Sequence, residues 1–220
     1  MDEAMADART LLTDDGVHLE AELAVATGPV RAVAVLCHPH PQYGGSMRSI
    51  VIGALFDALP ARGVTCLRFN FRGVEGSEGT YDGGNLERVD VEAAVAAIQT
   101  ELAAAPGRVP LLLAGWSFGA DMALSVRDHR VSAWMAVAPP LRYVHDLEGL
   151  ADDPRAKLLA LAQHDEVRDP AEVEAVASAW ANTEVHVVGG ASHFFVGRTE
   201  RLVELAGAFV DRLAAPAGSP

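Results

Sequence analysis

Apolar residues in this chain gather into short, near-continuous runs, separated by longer stretches of helical periodicity. The runs are Ala32–Cys37, Val64–Phe69, Leu111–Ala114, Val131–Val137, Leu158–Ala162 and Val185–Val188. A strand with one wet face alternates apolar and polar residues, so near-continuous runs predict strands covered on both faces. Helical patterns fill the intervals, at about Met47–Ala61, Leu86–Ala104, Phe118–Asp128, Ala171–Ala181 and Glu200–Leu213. This alternation predicts an α/β fold, a mostly parallel sheet wound with helices on both faces. The beginning reads differently. Arg9–Leu12, a turn at Asp14-Asp15-Gly16 and the alternating Val17, Leu19, Ala21 and Leu23 predict a hairpin. No repeat or long linker divides the 220 residues, so one domain is expected. The Ala/Pro/Gly-rich tail from Ala214 is expected to be disordered.

Chemistry enters with Gly115-Trp116-Ser117-Phe118-Gly119, which directly follows the Leu111–Ala114 run and opens a helical pattern. Strand, Gly-x-Ser-x-Gly and helix together form the context of a nucleophile elbow. The turn is too sharp for side chains on its flanks, hence a glycine on either side of the serine. Its hydroxyl is thereby held out at the carboxyl end of the strand. A serine needs a base, and with this elbow the chain order is serine, then acid, then histidine, each after a later strand. Asp165 follows the Leu158–Ala162 run, and His193 follows Val185–Val188. Ser117, Asp165 and His193 are therefore the expected catalytic residues. Glu166 and Asp169 are the alternatives for the acid; Asp165 lies nearest the strand end. In this reading Ser117 attacks an acyl carbonyl, His193 moves the proton and Asp165 orients the imidazole. The N–H of Phe118, at a helix amino end, would stabilise the oxyanion.

Further motifs accompany the elbow: Leu36-Cys37-His38-Pro39-His40-Pro41 with Gly44-Gly45, Phe69-Asn70-Phe71-Arg72-Gly73-Val74-Glu75-Gly76-Ser77-Glu78-Gly79, and Ser192-His193-Phe194-Phe195. On these residues, from about Thr10 to about Leu213, the chain resembles the α/β-hydrolase superfamily. Within it, the chain is similar to small lidless serine esterases related to dienelactone hydrolases, although those enzymes proper carry cysteine where this elbow has Ser117. The resemblance implies an α/β-hydrolase fold, and many relatives insert a cap domain between positions equivalent to Ala138 and Lys157. This interval holds only a loop and one short helix, so no cap domain is expected. An open site points to small or water-soluble esters as the substrate. The resemblance also supports the His40 N–H as second oxyanion donor, since Pro39 and Pro41 have no N–H; Tyr43 or Gly44 is the alternative.

The remaining polar residues have plainer readings. His38 and His40 with His193 would mimic a zinc site, but no carboxylate or cysteine lies at ligand spacing, so neither metal nor cofactor is expected. Arg72 is read as a structural hydrogen-bonder and Trp116 as packing beside the elbow. Phe194 and Phe195 are divided between site wall and core. Cys37 and Cys66 read as buried free thiols.

A net charge of -13 argues against nucleic acid or an anionic membrane surface as partner. No apolar run approaches the ~18 residues of a membrane span. The acidic start, Met1–Asp7, lacks signal-peptide character, so a cytoplasmic protein, monomer or homodimer, is expected. The functional expectation is a carboxylic-ester hydrolase acting on small acyl esters. Thioester hydrolysis, acyl transfer or peptide cleavage would use the same triad, and a catalytically silent binding protein would use the same fold.

Overall fold

The computed structural model describes residues 6–99, 101 and 109–215. Eight strands form a single sheet: β1 (Asp7–Leu12), β2 (His18–Ala24), β3 (Ala32–Cys37), β4 (Val64–Phe69), β5 (Leu111–Trp116), β6 (Val131–Val137), β7 (Ala156–His164) and β8 (Thr183–Ser192). Their spatial order is β1-β2-β4-β3-β5-β6-β7-β8. The opening hairpin is antiparallel and β2 pairs antiparallel with β4; every later pairing is parallel. This is the α/β-hydrolase arrangement expected from the sequence. Helices α1 (Ile50–Ala58), α2 (Glu87–Ala97), α3 (Phe118–Ser125), α4 (Leu147–Asp152), α5 (Pro170–Ala177) and α6 (Thr199–Leu213) connect the strands. Residues 100 and 102–104 of the expected second helix, and the tail from Pro216, lie outside the described residues.

Side chains alternate across the sheet, which splits the core in two. Val33, Val35, Leu113, Trp134 and Leu159 face Val91, Met122, Leu150 and Val173 from α2 to α5. Ala34, Leu36, Leu112, Met135 and Leu158 face Ile52, Leu55, Leu202 and Phe209 of α1 and α6. Burial of one such large aliphatic side chain contributes about 1.5–3 kcal/mol, so both layers hold the strands in register. Cys37 and Cys66 are free and buried within the sheet. Among the described residues, no helix is long and apolar enough to cross a membrane.

Three boundaries depart from expectation, each for a tertiary reason. β7 and β8 run on through the polar Gln163-His164 and Gly189–Ser192 because their ladder continues to the pair His164–Ser192. β8 is the edge strand and largely open to solvent, with Val187 45% exposed, so it is not covered on both faces. The first long helix is shorter than its pattern: Pro60 begins a 3-10 turn that ends on Gly63 at φ 80°. The Ala138–Ala156 interval holds a loop and the six-residue α4, with no cap domain.

Candidate active site

The elbow forms where β5 meets α3 with almost no room between backbones. A side-chain carbon at Gly115 would run into the Gly119 carbonyl, and one at Gly119 into the carbonyls of Cys37 and His38. Ser117 adopts φ 55°, ψ −122°. This is costly for a residue with a Cβ and persists only where the surroundings impose it. Here the imposing bonds are the Ser117 N–H to the Val137 carbonyl, 2.8 Å, and the N–H groups of Ala120 and Asp121, which donate to the Ser117 carbonyl.

Opposite the serine stands His193, just past β8. Its Nε2 lies 2.9 Å from Ser117 Oγ, and its Nδ1 lies 2.9 and 3.0 Å from the two carboxylate oxygens of Asp165. An ionised carboxylate only accepts, so the proton sits on Nδ1, and Nε2 is left to accept from the serine hydroxyl. Both partners of the His193–Asp165 pair are nearly dry, with side chains 7% (His193) and 4% (Asp165) exposed. Burial pushes the Asp165 carboxyl up, but the imidazole and the N–H groups of Val167 and Arg168 outweigh it and hold the group below its ordinary value.

The other two carboxylates near this loop have different attachments. Glu166 Oε2 accepts the backbone N–H of His193 at 3.0 Å. Asp169 caps α5 through the Ala171 N–H. The indole of Trp116, inside the elbow, donates to the His193 carbonyl at 3.1 Å. His193 is thus held at ring, N–H and C=O by three separate side chains. The sequence offered Glu166 only as a rival acid, and Trp116 only as packing.

A cleft of about 570 Å³ opens in front of Ser117, walled by His40, Phe118, Tyr143 and Phe194 among others. Phe118 and His40 both line this wall, and neither backbone N–H has an acceptor among the described residues. That of Tyr43 is donated to the His40 carbonyl, which removes it as an oxyanion donor. The His40 ring accepts the Gln42 N–H at Nδ1, so its Nε2–H donates to Tyr81 Oη at 3.0 Å. Burial pushes this imidazole below its usual range. Tyr43, Tyr81, Phe118 and Tyr143 surround it at 4.6–6.0 Å between ring centroids.

His38 lies behind the wall, fully buried. Nδ1–H donates to the Pro39 carbonyl at 2.6 Å and Nε2 accepts the Phe71 N–H at 3.0 Å. Burial pushes it down to about 3. With both nitrogens engaged, this ring joins the loops after β3 and β4. Arg72 is buried in an ion cluster with Asp90 and Asp15, also away from the cleft. Phe194 is exposed at the rim, whereas Phe195 is in the core.

One organising residue was invisible in the sequence. Asp121, in the first turn of α3, is fully buried and accepts the N–H groups of Leu141, Arg142 and Tyr143. It binds the loop after β6 to the elbow helix, and that loop supplies Pro140, Arg142 and Tyr143 to the cleft. Burial pushes its carboxyl up to about 6, against those three bonds. The only signal was a carboxylate in the otherwise apolar turn Phe118–Leu124.

No family model matches the sequence. Over 192 residues the chain is 33% identical to an uncharacterized protein of Rickettsia prowazekii, covering 83% of this chain and 79% of that one. Among solved structures, an alpha-beta serine hydrolase homologue from Coxiella burnetii is 32% identical, with a TM-score of 0.80 over 92% of this chain and 96% of the other. A lidless serine hydrolase from Xanthomonas campestris superposes with the same TM-score of 0.80, at 27% identity over 97% of each chain.

Proposed function

The chain belongs to the α/β serine hydrolase family, and on that premise we propose that it cleaves small carboxylic esters through an acyl-enzyme on Ser117. The observation that carries this reading is the relay itself: serine hydroxyl, imidazole and carboxylate in line at 2.9 Å per step, in a strained and nearly dry setting.

The geometry supports the following course. Ser117 Oγ attacks the acyl carbonyl as His193 Nε2 takes its proton. The imidazolium so formed is stabilised by Asp165, whose carboxyl stays ionised because its bonds outweigh its burial. Negative charge on the carbonyl oxygen is received by the N–H of Phe118, helped by the α3 dipole, and by the N–H of His40. His193 then protonates the leaving alcohol and activates a water, which releases the acid and restores the serine. Proton transfer positioned in this way contributes ~10²–10⁴-fold. Without a cap, small esters reach the serine directly. Two unpaired buried thiols favour a reducing, cytoplasmic setting.

Fluorophosphonate labelling tests the reading. Wild-type protein is expected to label at Ser117 alone and the Ser117→Ala variant not at all. A p-nitrophenyl ester series from acetate to palmitate should fall in kcat/KM as the chain lengthens. Folded wild-type protein that refuses the label would overturn the enzymatic reading, and rates climbing towards palmitate would overturn the small-substrate reading.

A further inference from the structure

The charge inside the cleft is opposite to that of the molecule. The chain carries a net charge of -13, yet among the described residues the cleft wall contains no carboxylate and one guanidinium, that of Arg142. Most described arginines pair with a carboxylate within 4 Å, as Arg68 does with Glu22, Arg130 with Asp128 and Arg155 with Asp153. Arg142 has no such partner among the described residues. Among the described residues its guanidinium makes one hydrogen bond, from Nη2 to the Val167 carbonyl at 3.0 Å. A guanidinium has five N–H donors, so most of its capacity is open.

Its base, by contrast, is fixed. The Arg142 N–H donates to Asp121 at 2.8 Å, between neighbours held by the same carboxylate, and Leu141 before it sits at φ 53°. The bond to Val167 ties the tip to the loop that carries Asp165. Three nearby acids are already engaged: Asp121 attracts the Arg142 charge but is buried on three loop N–H groups, Asp165 is held by His193 and two loop N–H groups, and Glu166 by the His193 N–H. A cation held at base and tip, solvent-accessible and facing the same cleft as the serine, is equipped to take a carboxylate in a two-pronged hydrogen bond.

We infer that the substrate is an ester bearing a carboxylate, and that Arg142 receives this second anionic group at the rim while Ser117 attacks the ester carbonyl. This rests on the esterase reading and narrows it. Arg142 is a specificity residue here, with no part in the bond-breaking steps.

Two ester pairs decide the question, each matched in size and differing in charge. One places the anion on the acyl side (p-nitrophenyl hydrogen adipate against p-nitrophenyl hexanoate, spontaneous hydrolysis subtracted). The other places it on the alcohol side (p-carboxyphenyl acetate against p-carbamoylphenyl acetate). Wild-type enzyme should favour the anionic member of at least one pair by about tenfold in kcat/KM, chiefly through KM, as expected for one charge-assisted hydrogen-bonded pair. Arg142→Gln should lower kcat/KM for that anionic ester about tenfold more than for its neutral partner, and Arg142→Lys should restore part of the difference. High salt should erode the preference in wild type. No preference in either pair, or a preference that survives Arg142→Gln, would overturn the inference and leave the esterase intact. Failure to turn over even the neutral esters would remove the esterase reading, and this inference with it.

Discussion

The two halves of the Ser117–His193 pair are held in place by different physics. The elbow after β5 is a matter of backbone against backbone. Glycines at 115 and 119 let chain segments touch, and a strained serine is locked by main-chain bonds at the centre of the sheet. The loop after β8 hangs from an edge strand, and its histidine is held by side chains reaching in from Asp165, Glu166 and Trp116. One half tolerates no added atom; the other depends on three separable tethers. Damage to the first should therefore appear as lost stability, and damage to the second as graded loss of turnover.

The largest effect belongs to the central tether. Asp165→Asn should leave the fold intact and lower kcat by about 10³-fold or more, because the amide can no longer hold the Nδ1-protonated tautomer or stabilise the imidazolium. If Glu166→Gln produced that loss and Asp165→Asn did not, the acid has been misassigned. Next comes the elbow. Gly119→Ala drives a methyl into the Cys37 and His38 carbonyls and should cost about 3 kcal/mol in urea unfolding. A variant of unchanged stability would mean that the elbow is looser than its packing indicates.

Acid should also act on the elbow side. Burial pushes the His38 imidazole from an ordinary 6.5 down to about 3 in the folded protein. Below 6.5 the unfolded chain binds the proton and the native state does not. Stability is therefore full above 6.5 and falls as the pH drops towards 3, by about 1.4 kcal/mol per pH unit from this ring. Urea midpoints between pH 7 and 4 should flatten in His38→Gln, and an unchanged slope would assign the acid sensitivity elsewhere. The smallest effects are expected of the outer tethers. Glu166→Ala and Trp116→Phe should each lower kcat about fivefold, as for one hydrogen bond of ~1 kcal/mol. Because they hold the same residue, the double variant should depart from the product of the singles.

The same contrast explains what could be read from the sequence. Near-continuous apolar runs gave away β3, β4 and β6 to the residue, since strands covered on both faces admit few polar residues, here Thr65 and Arg68 in β4 and Ser132 in β6. Ser117 stood out because a backbone constraint writes glycines beside it, while Asp165 and His193 followed from strand order. The ends of β7 and β8 did not stand out: Gln163, His164 and the glycines at 189 and 190 are strand only because a neighbouring ladder pairs them. Nor did the tethers. Trp116 reaches across 77 positions to His193, Glu166 across 27, and Asp121 about 20 to the loop it holds. Such partnerships are made through space and leave no local periodicity. Arg142 belongs with them, since nothing in Leu141-Arg142-Tyr143 marks a cleft.

The two thiols at the middle of the sheet make a built-in reporter. Cys37 ends the strand that leads into the His40 loop, and Cys66 lies in the strand beside it; both are sealed from solvent, and burial raises each thiol well above its ordinary value. An alkylating reagent such as iodoacetamide can reach them only when those strands part. Its rate of incorporation therefore clocks the opening of the region beneath the cleft, in the intact protein and without an added probe.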